Sequence, residues 1–384
     1  MDILFDETER NETRPKNERE STFTYLNMSA RKGVAAARTV LQQWFDLFPI
    51  EARKDLVGRL RSPIDGQHFS AFWELYLHEV FSQVGYKLEV HPKIEGSPNR
   101  PDFLVHIDGV PSFYLEGIVA GLPSTEDAGA QARLAEVLDL INKMPPMNYF
   151  LEVQHRGIPG SQPPVRKLRK DLEEWLRSLD INDKERAQFK WSHDGLTLLF
   201  GAIPKSVRLD KPVGRPIGVT MGEAQWLRTD EDIRDTVEVK AKKYGELSLP
   251  LVVAVNVKSE HCDDVDVNNA LFGDETIEFT PLPDKSQLAK LGQRRPNGIW
   301  FGSAGPRNGL VSAILIGCDI TVYTCAIITP VLIHNPHPTH KIVLPSYPFP
   351  QRVPDMETNT MKLQEGKSAN TYLRLPNPWP PKVA

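Results

Sequence analysis

Residues 69–84 read FSAFWELYLHEVFSQV, and residues 86–120 read YKLEVHPKIEGSPNRPDFLVHIDGVPSFYLEGIVA. In the first stretch Phe69, Phe72, Trp73, Tyr76, Leu77, Val80 and Phe81 recur at helical spacing. They predict a helix with one broad apolar face, stopped at Gly85. The second stretch breaks into three strand patterns: Tyr86–His91, then Asp102–Ile107 after a Pro/Gly/Asn loop, then Ser112–Ala120 after the turn Asp108-Gly109. Residues 127–143 predict the next helix, stopped before Pro145-Pro146, and Asn148–His155 a fourth strand. The order is helix, strand, strand, strand, helix, strand.

Outward from this block, Val34–Phe48 and Glu51–Leu60 predict two further helices on the N-terminal side. On the C-terminal side Arg166–Leu179 predicts an amphipathic helix, Gly195–Ile203 a strand and Ile233–Tyr244 a helix. Leu249–Val257 (LPLVVAVNV) is apolar almost throughout, which suits a strand buried on both faces. Ile299–Phe301, Leu310–Gly317 and Ala326–His334 predict more strands. The expected organisation is a disordered leader over 1–29 with seven acids and four bases, N-terminal helices over 30–65, a core over 66–180, an α/β extension over 181–344 and an irregular Pro-rich tail over 345–384.

The whole chain has 384 residues, a formal net charge of −4 and 40% hydrophobic residues. That length buries a sizeable core. The charge balance excludes a protein that coats nucleic acid broadly, and the longest apolar runs are too short to span a bilayer. Cys262, Cys318 and Cys325 make no disulfide framework, and the N-terminus shows no apolar signal region, so a cytoplasmic location is expected.

Two acids dominate the central block. Asp102 lies in RPDF (Arg100–Phe103) and Glu116, fourteen residues later, in YLEG (Tyr114–Gly117). Alternation puts Glu116 on the strand face shared with Tyr114 and Ile118. If the strands pair, the two carboxylates converge, and hard divalent cations bind to a few carboxylate oxygens. Glu74 or Glu79 on the preceding helix can complete such a shell, and Glu74 is preferred because it lies beside the apolar face. A carboxylate buried without a partner costs several kcal/mol, so Glu116 is expected to be paired, protonated or metal-bound.

On these residues the sequence resembles the PD-(D/E)xK nuclease superfamily over roughly 69–156. Pro101-Asp102 matches the first half-motif, Glu116 the acid of the second, and Glu74 a helix acid found in some members. The resemblance implies an α/β fold with a restriction-endonuclease-like core and a large C-terminal extension. It implies metal-dependent phosphodiester hydrolysis with Mg²⁺ or Mn²⁺, and nucleic acid, DNA first, as partner; a homodimer stays open. Asp102, Glu116 and Glu74 are then metal ligands, with Asp102 and Glu116 catalytic. Ile118 stands where the superfamily carries a lysine that orients or deprotonates water, and isoleucine does neither. Gln154 on the fourth strand and Lys93 after the first are the catalytic substitutes. The chain is also similar to a group of uncharacterised bacterial proteins through ELYLHE (Glu74–Glu79), RPDF, NALFGDE (Asn269–Glu275) and HNP (His334–Pro336), a likeness that implies no activity. Two other readings stay open: a binding module of this fold that has lost catalysis, and an unrelated α/β interaction protein with structural acids.

Other signals are weaker. Arg166, Lys167, Arg169 and Lys170 make a basic cluster suited to phosphate contact, or else a solvated helix face balanced by Asp171, Glu173 and Glu174. His334, His337 and His340 lack cysteines at zinc-finger spacing and read as ordinary surface or core histidines. Gly302–Asn308 lacks the Lys-Ser/Thr of a phosphate loop and reads as a plain turn.

Overall fold

The computed structural model describes residues 3–122, 128–144, 148–180, 187–205, 216–222, 228–259, 261–281, 287–345 and 347–381. The expected stop at Pro145-Pro146 lies outside the described residues. Two compact units divide the chain. The first holds Met1–Arg14, Ser21–Leu122 and Arg228–Ala384; the second holds Pro15–Glu20 and Pro123–Leu227.

The chain begins with α1 (Thr22–Met28), α2 (Lys32–Leu47), α3 (Ile50–Leu60) and α4 (Asp65–Gln83). From Ala71 to Phe81 every residue of α4 is buried, polar ones included, so this helix is a core element rather than an amphipathic cover. Trp73 ties it to the sheet by donating its indole N–H to the Ala254 carbonyl at 2.9 Å. Strands β1 (Lys87–Val90), β2 (Phe103–Ile107) and β3 (Val110–Ala120) follow as an antiparallel meander. Asp108 and Gly109, both at positive φ, make the turn between β2 and β3.

The second unit contains α5 (Ala128–Asn142), β4 (Tyr149–Arg156), α6 (Val165–Ser178), β5 (Gln188–His193), β6 (Leu196–Pro204) and β7 (Ile217–Gly222). Its strands form a separate sheet in the order β5-β6-β4-β7. Leu168, Leu172 and Leu176 of α6 pack with Val137 and Ile141 of α5 and with Val153, Leu198 and Phe200 to make its core. Asp139 fastens residues 15–20 to this unit by accepting the backbone N–H of Glu18 at 2.7 Å and of Arg19 at 3.0 Å.

The chain returns to the first unit through α7 (Thr229–Ala241), β8 (Leu251–Val257), α8 (Asp264–Phe272), the strand pairs β9 (Ile277–Pro281) with β10 (Gln287–Leu291) and β11 (Phe301–Gly302) with β12 (Gly305–Pro306), then β13 (Val311–Cys318), β14 (Val331–His334), β15 (Gln351–Asp355), β16 (Thr360–Gln364) and α9 (Ala369–Tyr372). The main sheet runs β1-β2-β3-β8-β13-β14-β15-β16. β8 lies parallel to both β3 and β13, and all seven of its residues are buried. Val252 and Ala254 face the core that holds α4, while Leu251, Val253 and Val255 face the core that holds α7 and α8. This two-sided burial is why the strand reads as an unbroken apolar run.

The mixed α/β class is as expected, and the arrangement of the strands differs. β4 does not pair with β3; the neighbour of β3 is β8, more than a hundred residues further on, because the second unit intervenes. The order helix, strand, strand, strand, helix, strand is present in the main sheet as α4-β1-β2-β3-α7-β8. Strands β13, β14, β15 and β16 extend that sheet beyond β8.

The described residues toward both termini are more packed than their composition suggests. Leu4 and Phe5 are buried, and Phe5 stacks on Phe23 at 5.6 Å between centroids. In the tail, Phe349, Leu373 and Trp379 are buried, and the Trp379 indole donates to the Val322 carbonyl at 2.8 Å. A few large apolar anchors order these segments despite their charge and proline content. Cys262 and Cys318 form a disulfide, a single bridge rather than a framework; Cys318 ends β13, which pairs with β8, and Cys262 lies just beyond the end of β8. Cys325 is free and buried. Among the described residues no helix is long and apolar enough to cross a membrane.

Candidate functional site

The site lies where β2 begins beside the middle of β3. The register sets Phe103 opposite Leu115, which brings Asp102 to Glu116. Each acid is fastened to the other's strand. The Asp102 backbone N–H donates to Glu116 Oε2 at 3.2 Å, and the Gly117 N–H donates to Asp102 Oδ2 at 2.7 Å.

Glu116 is 1% exposed, and protein donors engage both its oxygens. Oε1 accepts from Lys240 Nζ, and Lys243 Nζ lies 3.4 Å away. Oε2 accepts the Tyr244 hydroxyl in addition to the Asp102 N–H. Lys240 lies in the last turn of α7, and Lys243 and Tyr244 follow the helix three and four residues on, so the end of α7 delivers all three. Burial and the adjacent Glu116 carboxylate push the Tyr244 hydroxyl far above its ordinary range, which keeps it a donor.

Asp102 meets a second set of groups. One oxygen of Glu74, one nitrogen of His91 and one oxygen of Asp102 all lie within 4.8 Å of one another, the one such group among the described residues. Glu74, on α4, is 4% exposed. Arg59 of α3 donates to its Oε2 at 2.7 Å, while Oε1 is buried with no hydrogen-bond partner and 3.9 Å from His91 Nε2. His91 follows β1 with φ at +48° and donates its backbone N–H to the Asp102 carbonyl at 2.9 Å. Burial of its carboxyl, then the nearby charges of Glu116 and Glu74, push Asp102 up to about 8. Burial likewise raises Glu74, against the pull of Arg59.

Gly117 makes this close approach feasible. A Cβ there would stand 3.0 Å from Leu77 Cδ1, 3.3 Å from Trp73 and 3.3 Å from Asp102 Oδ2. Gly117→Ala is expected to cost about 1–3 kcal/mol in chemical denaturation through overpacking of α4 against β3. An unchanged urea midpoint would mean that α4 gives way freely.

The structure thus brings together Asp102, Glu116 and Glu74. Gln154 belongs to the other unit, and among the described residues Lys93 makes no hydrogen bond to the three acids. Gln154 lies on β4, in the sheet of the second unit, and donates to Glu152 Oε1 at 3.1 Å. Lys93 is exposed in the loop after β1. Arg166, Lys167, Arg169 and Lys170 are exposed on α6, where Arg169 pairs with Glu173 at 2.9 Å and Lys170 with Glu174 at 3.7 Å. His334 bonds to Gln351 at 2.8 Å and His340 to the Leu247 carbonyl at 2.9 Å, in keeping with ordinary histidines. Lys240, Lys243, Tyr244, His91 and Arg59 were not legible as site residues. The spacing in KAKKYG (Lys240–Gly245) marks one basic helix face, but 124 residues separate Lys240 from Glu116.

No family model, curated protein or solved structure matches the chain.

Proposed function

We propose that the protein is a metal-dependent phosphodiesterase acting on nucleic acid, DNA first, with a restriction-endonuclease-like core made of α4, β1, β2, β3, α7 and β8. The observation that carries the reading is the bond from Lys240 Nζ to Glu116. It sets an ammonium beside the second acid from a neighbouring helix, although Ile118 stands at the motif position.

The residues present fit a divalent cation. Glu74 Oε1 is buried without a hydrogen-bond partner, and such an atom is costly unless something binds it. Glu74, His91 and Asp102 would hold the ion, and an oxygen set with one imidazole suits Mn²⁺ better than Mg²⁺. Bound there, a divalent cation supplies a water of lowered pKa and neutralises charge developing on a phosphate. Arg59 holds one Glu74 oxygen and leaves the other turned to the site. Glu116, fixed by Tyr244 and Lys243, orients Lys240, whose ammonium can position water or meet phosphate charge. Every one of these residues belongs to the first unit of one chain. On this reading the basic face of α6 contacts phosphates without reading sequence.

One observation favours the binding module that has lost catalysis. Both Glu116 oxygens are engaged by protein donors, so Glu116 can serve as an anchor for α7 with no chemical role.

A cleavage assay on plasmid, single-stranded DNA and RNA in Mg²⁺, Mn²⁺ or EDTA separates the two. Asp102→Asn and Lys240→Met carry the test beside Asp102→Ala and Glu116→Ala, each checked for folding by circular dichroism. Metal-dependent cleavage is expected to fall by roughly 10²-fold or more in Asp102→Asn and Lys240→Met. No cleavage by folded wild-type protein on any substrate would shift the reading to the binding module.

A further inference from the structure

A groove of about 530 Å³ opens in the first unit where α8, the segment leading into β11, the loop after β14 and the β15–β16 hairpin meet. That volume is in the range of small-ligand sites. One wall is aromatic. Phe301 packs on Phe272 with centroids 6.2 Å apart, and His337 stands edge-on to Phe301 at 5.7 Å and 85°. Met356 and Met361 line the hairpin side. Thioethers of this kind are adaptable and make favourable contacts with aromatic rings.

The charges in the groove are already balanced. Arg294 donates to Glu275 and to the Gly273 carbonyl, each at 2.6 Å, and Lys362 holds Asp355 at 2.7 Å. Among the described residues lining the groove no unspent counter-charge is left for an anionic ligand. Beside the His337 imidazole, the polar side-chain capacity that remains among the described residues is amide. Asn268 accepts from Arg352 at 3.3 Å through its Oδ1, which leaves its NH₂ to donate. Among the described residues the Asn359 side chain, exposed at positive φ on the hairpin, has no hydrogen bond.

We infer that this groove binds a neutral heteroaromatic base, presented as a nucleoside or as an unstacked base. Aromatic and thioether walls take its faces, and the two carboxamides take its edge, where paired donors and acceptors suit an asparagine. A plain hydrocarbon ring would leave the amides unused. The inference shares no residue with the acid site and does not rest on the phosphodiesterase reading.

The test is saturation-transfer NMR on the full chain with adenosine, cytidine and N-acetyltyrosinamide, repeated on Phe301→Ala, Asn359→Ala, His337→Ala and Asp102→Asn proteins. At least one nucleoside is expected to receive saturation at its base protons. Its affinity should fall roughly tenfold in Phe301→Ala, less in the exposed variants Asn359→Ala and His337→Ala, and not at all in Asp102→Asn. The exposed pair keeps the test valid if Phe301→Ala does not fold. The inference is overturned by no transfer to either nucleoside, by binding unchanged in all the groove variants, by loss of binding in Asp102→Asn, or by preference for the tyrosine amide.

Discussion

Glu116→Ala lowers the stability of the fold by on the order of 3–5 kcal/mol, the usual cost of removing one partner from a buried ion pair. The size follows from what remains behind. Lys240 and Tyr244 lose their acceptor, Lys243 loses its counter-charge, and the Asp102 N–H is left unpaired. None of these groups gains full access to water, since the Lys240 side chain is only 19% exposed and Tyr244 is buried. Glu116→Gln keeps an acceptor for the tyrosine and the backbone N–H but leaves two ammonium groups uncompensated, so its loss should be intermediate. Lys240→Met in the Glu116→Ala background should recover part of the deficit, because it removes the stranded charge while keeping the apolar stem. Urea denaturation of the single and double variants measures the coupling. A Glu116→Ala protein with the wild-type midpoint would show that the lysines and tyrosine have other partners, and Glu116 would lose its place as the anchor of α7.

The parts of the fold legible in the sequence were those whose signal is local. Helix α4 and the meander β1-β2-β3 carry their own periodicity and turns, and β8 announces a central position by its unbroken apolar run. The partner of β3 was not legible, because adjacency in a parallel sheet depends on a crossover, and here residues 123–227 intervene, forming a second unit together with residues 15–20. A fourth strand pattern close in sequence, Asn148–His155, therefore stands in the expected place of β8. Gln154 went with it. The ends of the chain show a different limit. Composition averaged over 1–29 suggests disorder, yet single anchors such as Leu4 and Phe5 decide the outcome once a complementary surface exists.

The site was legible to the same depth. Asp102 and Glu116 could be paired from two strands and a turn, and Glu74 from the helix before them. Their partners come from elsewhere: Lys240, Lys243 and Tyr244 from the far side of the inserted unit, and Arg59 from α3. Buried acids state that a partner must exist without naming it. Motif stretches behaved likewise. In NALFGDE, Asp274 is held by Arg234 at 2.9 Å and by Asn297 at 2.9 Å, and in HNP the buried Asn335 donates to the Val311 carbonyl at 2.8 Å. Both stretches serve the frame around the sheet rather than the acid site.

Asp102 gives the protein a stability profile opposite to that of a salt-bridged aspartate, and Mn²⁺ should reverse it. Its carboxyl is pushed up to about 8 in the fold from an ordinary value of 3.8. Between those values the folded chain holds a proton that the unfolded chain has released. Stability therefore falls as pH rises across that window and levels off above it. Asp102→Asn, which cannot ionise, should flatten this part of the profile and be more stable than wild type near the top of the window. A cation at Glu74, His91 and Asp102 requires the carboxylate, so binding displaces about one proton and the apparent affinity rises up to about tenfold per pH unit below the Asp102 value. The Mn²⁺-induced rise in Tm should accordingly be larger near pH 8 than near pH 7, and absent in Asp102→Asn. Thermal melts at constant ionic strength, with Mn²⁺ or EDTA, measure both effects. An Mn²⁺ shift that ignores pH, or that survives in Asp102→Asn, would put the ion somewhere other than this carboxylate. The buried Glu74 oxygen would then need another partner, and the acids of β2 and β3 would be left with the anchoring role alone.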